Sequence, residues 1–84
     1  MPTTTRGRFD LRRFARALDD RRHALRLRWI DVAEQTGVAQ SILSRLATIS
    51  RQDDEGSAFL PSLENALALA TWLKVPLEDF WRAE

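Results

Sequence analysis

Gln40, Ser41, Ser44 and Arg45 carry hydrogen-bonding groups at a spacing that brings them to one side of a helix. The chemistry open to such a set is the reading of base edges. A glutamine amide presents a donor beside an acceptor and matches N6 and N7 of adenine, while an arginine guanidinium matches O6 and N7 of guanine. The hydroxyls of Ser41 and Ser44 can bond a base edge or a phosphate, and both roles stay open. For Arg45 the competing use is a surface salt bridge, for example with Glu64. Other chemistries find little to work with. There is no cysteine and one histidine, which leaves no disulfide, no thiolate nucleophile and no zinc site built from Cys and His. His23 reads as an ordinary residue of a helix surface. No glycine-rich phosphate cradle and no nucleophile elbow occur, so neither an enzyme nor a bound metal or cofactor is expected.

The chain of 84 residues has room for one core, and its 44% hydrophobic and 30% charged content is that of a folded domain. No run of apolar residues approaches the length that crosses a bilayer, and the polar start lacks the apolar stretch of a leader, so a cytoplasmic protein is expected. A formal net charge of +1 conceals a division along the chain. Residues 1–51 hold eleven arginines against five acids, whereas residues 52–84 hold two basic residues against seven acids. Such a dipole presents the first half to a polyanion and holds the second half away. Twelve of the thirteen basic residues are arginine, the side chain suited to paired bonds with phosphate and guanine.

The elements that must position the four side chains follow from capping and periodicity. Residues 1–8 read as a flexible basic arm, of the kind that can follow a groove. Asp10 caps a first helix, with Phe9 before it closing on Phe14 as a hydrophobic staple, and Leu11, Phe14, Ala15, Leu18 and Leu25 form its inward face. A second helix runs from Trp29 to Thr36 and stops at Gly37, a residue free to take the left-handed turn. A third runs from Ala39 or Gln40 to about Ala47, with Ile42, Leu43 and Leu46 facing inward. An extended acidic loop around residues 48–61 follows, carrying Asp53, Asp54 and Glu55, and residues 9–84 make a single domain. Ser62 caps a fourth helix whose apolar stripe is Leu63, Ala66, Leu67, Ala70 and Leu73. Trp72 falls off that stripe, and with Phe80 and Trp81 it either folds inward or forms a homodimer contact.

The stretch from Val32 to Leu46, with Ala33 at a close helix crossing, Gly37 at the turn and Val38, Leu43 and Leu46 between the helices, resembles the helix-turn-helix of the Cro and phage-repressor (XRE-like) family. Leu27 matches the apolar residue before helix 2. Pro61 to Val75 resembles the family's fourth helix, and Leu77 to Trp81 its short fifth. The resemblance implies an all-α, compact five-helix lambda-repressor-like domain with helices 2 and 3 as the helix-turn-helix. It implies a transcriptional regulator, in the first instance a repressor, that reads double-stranded DNA through the major groove as a dimer on an inverted repeat, with half-sites about 34 Å apart. It also places backbone contacts at Arg28, Trp29, Thr48, Ser50 and Arg51. Three positions depart from the pattern. Ala39 stands for a capping serine, Trp29 for a glutamine that touches phosphate in relatives, and Ile49 for a glycine that ends the third helix. The alternative is a protein-partner module, such as an antitoxin or anti-repressor, that uses the acidic loop and the C-terminal aromatics.

Overall fold

The structure is a computed structural model that describes residues 7–51 and 59–83. Strand β1 (Gly7–Phe9) leads into α1 (Leu11–Ala24), α2 (Trp29–Thr36), α3 (Gln40–Arg51) and α4 (Leu63–Leu73), and a 3-10 turn at Leu77–Phe80 ends in strand β2 (Trp81–Ala83). The described chain is therefore mostly helical, with a two-stranded antiparallel sheet closing its ends.

The start of α1 obeys its sequence signals. The backbone N–H of Arg13 donates to Asp10 Oδ1 at 3.0 Å, and the Phe9 and Phe14 rings meet edge to face at 5.2 Å between centroids. Phe14, Ala15 and Leu18 are fully buried and form the floor of the core. The other end of α1 has no glycine to mark it. Arg26 takes the left-handed conformation with φ 56°, so that its own N–H reaches the carbonyl of His23 and the N–H of Leu27 that of Arg22, each at 3.0 Å.

Between α2 and α3 the chain turns at Gly37, whose φ of 77° is one that L side chains resist. Thr36 steadies this turn. Its hydroxyl donates to the carbonyl of Val32 at 2.8 Å and accepts from the N–H of Val38 at 3.2 Å. Helix α3 outruns its expected end at Ala47 and reaches Arg51. With Ile49 in place of a terminating glycine, nothing stops the helix, and Leu46, Ala47 and Ser50 continue its buried side. Thr48, Ser50 and Arg51 thus belong to a helix and not to a loop. Asp53, Asp54 and Glu55, the acids of the expected loop, lie outside the described residues, as do residues 1–6 of the expected basic arm.

Helix α4 begins as its cap predicts, with the N–H of Asn65 donating to Ser62 Oγ at 3.1 Å. Its buried face differs from the expected stripe. Ala66, Leu69, Ala70 and Leu73 point inward, whereas Leu63 and Leu67 are 69% and 48% exposed. The two alanines let α4 approach α1 and α2 closely, and Leu69 fills the space that results.

The short fifth helix expected from Leu77 to Trp81 takes the form of the 3-10 turn at Leu77–Phe80 and gives way to β2, so the described residues hold four α-helices and a small sheet in place of five helices alone. Phe80 is the cause. It is buried against Phe14, with ring centroids 5.1 Å apart, and against Phe9 at 6.4 Å, and this draws the end of the chain alongside its beginning. The N–H of Asp10 donates to the carbonyl of Phe80 at 2.7 Å, and β1 and β2 pair in the register Gly7↔Ala83, Arg8↔Arg82, Phe9↔Trp81. Gly7 and Arg8 are therefore a strand, not part of an arm. No helix among the described residues is long and apolar enough to cross a membrane.

Candidate nucleic-acid interface

Helix α3 sorts its side chains cleanly by face. Leu43, Leu46, Ala47 and Ser50 are buried, while Gln40, Ser41, Ser44, Arg45, Thr48 and Arg51 are all exposed. The exposed positions recur at three- and four-residue steps, so they form one stripe along a helix of twelve residues, a length of about 18 Å. No carboxylate stands anywhere on α3. Within the stripe Thr48 Oγ1 donates to the carbonyl of Ser44 at 3.1 Å, which directs that hydroxyl back along the helix. Arg45 lies with its guanidinium carbon 5.3 Å from the centre of the Phe59 ring. That contact lays the guanidinium itself on the aromatic ring and narrows its freedom, while the residue as a whole stays exposed. Phe59 takes the place that the sequence reading offered to Glu64.

The five residues expected to meet the backbone separate into two groups. Arg28, Thr48 and Arg51 are exposed. Ser50 is not. It is 9% exposed and its hydroxyl donates to Asp19 Oδ2 at 3.2 Å, which corrects its assignment as a phosphate contact. Trp29 is half-buried against the core, with the Arg22 guanidinium 4.8 Å from its ring centre, and its role becomes one of packing. Arg22 in turn donates from Nε and Nη2 to Asp19 Oδ1, at 3.1 and 2.7 Å, and from Nη1 to the carbonyl of Leu27 at 2.9 Å. Asp19 and Arg22 thereby tie the start of α2 and the end of α3 to α1. No local signal marks these contacts, because both residues sit in an arginine-rich helix that reads as a solvated surface.

At the start of α2 the N–H of Arg28 donates to Asp31 Oδ2 at 2.8 Å, and the guanidinium donates to both oxygens of the same carboxylate at 3.2 Å. This is the carboxylate half of a capping box only, since a guanidinium has no lone pair to offer the helix. The side-chain bond from Arg28, then the backbone bond, hold Asp31 below the ordinary carboxylate range, and the same pairing raises Arg28 above the usual arginine value.

Not all of the arginine excess faces outward to a partner. Arg13 donates from Nη1 to the carbonyl of Asp79 at 3.0 Å and lies over Phe80, and Arg21 lies over Trp72 at 5.4 Å with its Nε buried. These, with Arg22, serve the fold. Among the three aromatics offered as a dimer contact, Trp72 is half-buried and donates from Nε1 to Gln35 Oε1 at 2.9 Å, while Phe80 is 4% exposed; both are inward-facing, which corrects that assignment. Trp81 alone stays exposed, at 46%. Among the described residues no three His, Cys, Asp or Glu side chains stand together as metal ligands would.

No family model, no curated protein and no solved structure matches the chain.

Proposed function

We propose that the protein is a sequence-specific double-stranded DNA-binding regulator of transcription, in which α2 and α3 act as a helix-turn-helix and α3 enters the major groove. The observation that carries the reading is the stripe of Gln40, Ser41, Ser44, Arg45, Thr48 and Arg51, exposed along the whole of α3 with no acid among them. A helix laid into a groove between two phosphate backbones gains from donors, and a carboxylate there is repelled by the phosphates unless it pairs with a cytosine amine; α3 carries donors and no acid. Gln40 and Arg45 are the base readers, one for adenine and one for guanine, with Ser41 and Ser44 between them on the same side. Arg28, at the start of α2, and Thr48 and Arg51, toward the end of α3, make the phosphate contacts that fix register. One stripe spans only a few base pairs, so useful specificity requires two copies on an inverted repeat. The likeness of residues 32–46 to the Cro and phage-repressor motif supports the same reading. That likeness does not extend to the paired strands β1 and β2, which the family pattern does not lead one to expect.

The reading is tested by comparing two variants on the preferred duplex and on its single-base substitutions. Arg45→Ala should lose preference at one base pair of each half-site, a loss of about 1–3 kcal/mol in discrimination. Arg28→Ala should weaken all sequences alike and flatten the dependence on salt. Wild-type affinity and specificity in both variants would refute the docking face.

A further inference from the structure

Of the six large apolar side chains exposed among the described residues, Leu25 and Ile30 stand apart from the hollow that the other four line. Leu60, Leu63, Leu67 and Trp81 stand together around an open hollow of about 500 Å³ that also takes in Phe9 and Leu77. Single exposed leucines are ordinary on a soluble domain, whereas a contiguous group marks a contact. With on the order of 100 Å² of each side chain open to water, the four expose about 400 Å², which is the apolar half of the roughly 800 Å² per partner that a standard interface buries.

The charges on α4 point to the occupant. Glu64, Leu67, Thr71 and Lys74 follow one another at three- and four-residue steps, and all four are exposed, with Glu64 in the first turn and Lys74 at the cap of the last. Two such helices lying antiparallel bring the acid of each to the base of the other and enclose the leucines between them; lying parallel, they set like charges side by side. Among the described residues the one charged side chain lining the hollow is the acid Glu78, which turns away a polyanion.

We propose that this face is a homodimer interface, in which a second copy of the chain lays its α4 antiparallel against the first across a two-fold axis. Leu67 lies nearest the axis, Leu63 lies outward beside the reciprocal Glu64–Lys74 pairs that set the direction, and Leu60 and Trp81 flank the contact. No residue of α3 takes part. The face begins at Leu60, next to the Phe59 ring that underlies Arg45, so the pair borders two α3 stripes and leaves both open. The inference deepens the DNA-reading proposal and rests on it for the purpose of the pair, while the association itself is measured without DNA.

Sedimentation equilibrium of the full chain across the micromolar range, with no DNA present, decides the matter. The expected result is a concentration-dependent dimer whose dissociation constant rises roughly tenfold or more in Leu67→Glu, with the far-ultraviolet circular dichroism unchanged because Leu67 projects into solvent. Glu64→Lys and Lys74→Glu should each weaken the dimer several-fold, and the two together should restore it. A wild-type protein that stays monomeric throughout would overturn the proposal and leave the face to a different protein. So would a Leu67→Glu variant that dimerises like the wild type, and a double charge swap without recovery would overturn the antiparallel arrangement. A dimer that binds no DNA would sustain this inference and sink only the reading of α3.

Discussion

At the scale of single residues, the side chains of the α3 stripe divide by the partners they already hold: Thr48 gives its hydroxyl to the Ser44 carbonyl, and Arg45 lays its guanidinium on Phe59. Arg45 braced on Phe59 loses less freedom on meeting a base than a free arginine would. Arg28 is the contrasting case, since it must loosen its hold on Asp31 before it can serve a phosphate. This pairing gives a prediction with a defined sign. The carboxyl of Asp31 sits below its ordinary value in the folded protein. The stabilisation it supplies is present in full above the unfolded carboxylate value and is lost as pH falls through the lower folded one. The amide resonance of Arg28, followed by NMR, should therefore titrate below the usual carboxylate range, and Asp31→Asn should abolish that titration. An Arg28 amide that moves at the ordinary carboxylate value would contradict the cap. The residues that the sequence made legible were those with a local mechanism: Asp10 and Ser62 as caps, Phe9 with Phe14 as a staple, Gly37 at a left-handed turn. Ser50 was misjudged because its partner, Asp19, lies 31 residues away, and no spacing rule reaches that far.

At the scale of elements, α2 and the Gly37 turn appear where the sequence put them, while both ends of the chain do not. A three-residue strand has no periodicity to detect, and the pairing of Gly7–Phe9 with Trp81–Ala83 joins segments more than seventy residues apart. Gly7 is the one position where a local signal existed. A Cβ added there would collide with the Arg82 carbonyl and press on the Trp81 indole, at 2.6 Å from Nε1, so only glycine lets the indole lie on the strand. Gly7→Ala should accordingly lower stability by about 1–3 kcal/mol through overpacking, read from urea denaturation. An unchanged midpoint would mean that β1 and β2 do not pair as described. The length of α3 is a further lesson at this scale. The buried side continues through Leu46, Ala47 and Ser50, and a pattern read only as far as the family motif stops one turn short. That extra turn carries Thr48 and Arg51 into the exposed stripe and lengthens the surface offered to a groove.

At the scale of the whole molecule, the division of charge between the two halves of the chain is real in the sequence but blunter in three dimensions. Arg13, Arg21 and Arg22 are spent on Phe80, Trp72, Trp29 and Asp19, so the arginines left to meet a polyanion include Arg28, Arg45 and Arg51 along the α2–α3 surface. Among the described residues no basic side chain lines the hollow beside Leu63 and Leu67, Lys74 standing farther along α4. On the proposed reading, the first surface would meet nucleic acid and the second would meet another copy of the chain. Binding should then weaken steeply as salt rises, because phosphate contacts release counterions. The most direct test of the central claim is selection of bound duplexes from a randomised DNA library at near-physiological salt, followed by sequencing of the enriched pool. Enrichment of an inverted repeat, with half-sites about one helical turn apart, is the result expected of an α3 stripe presented twice. A folded protein that enriches no motif would contradict the reading of α3 as a reader of bases.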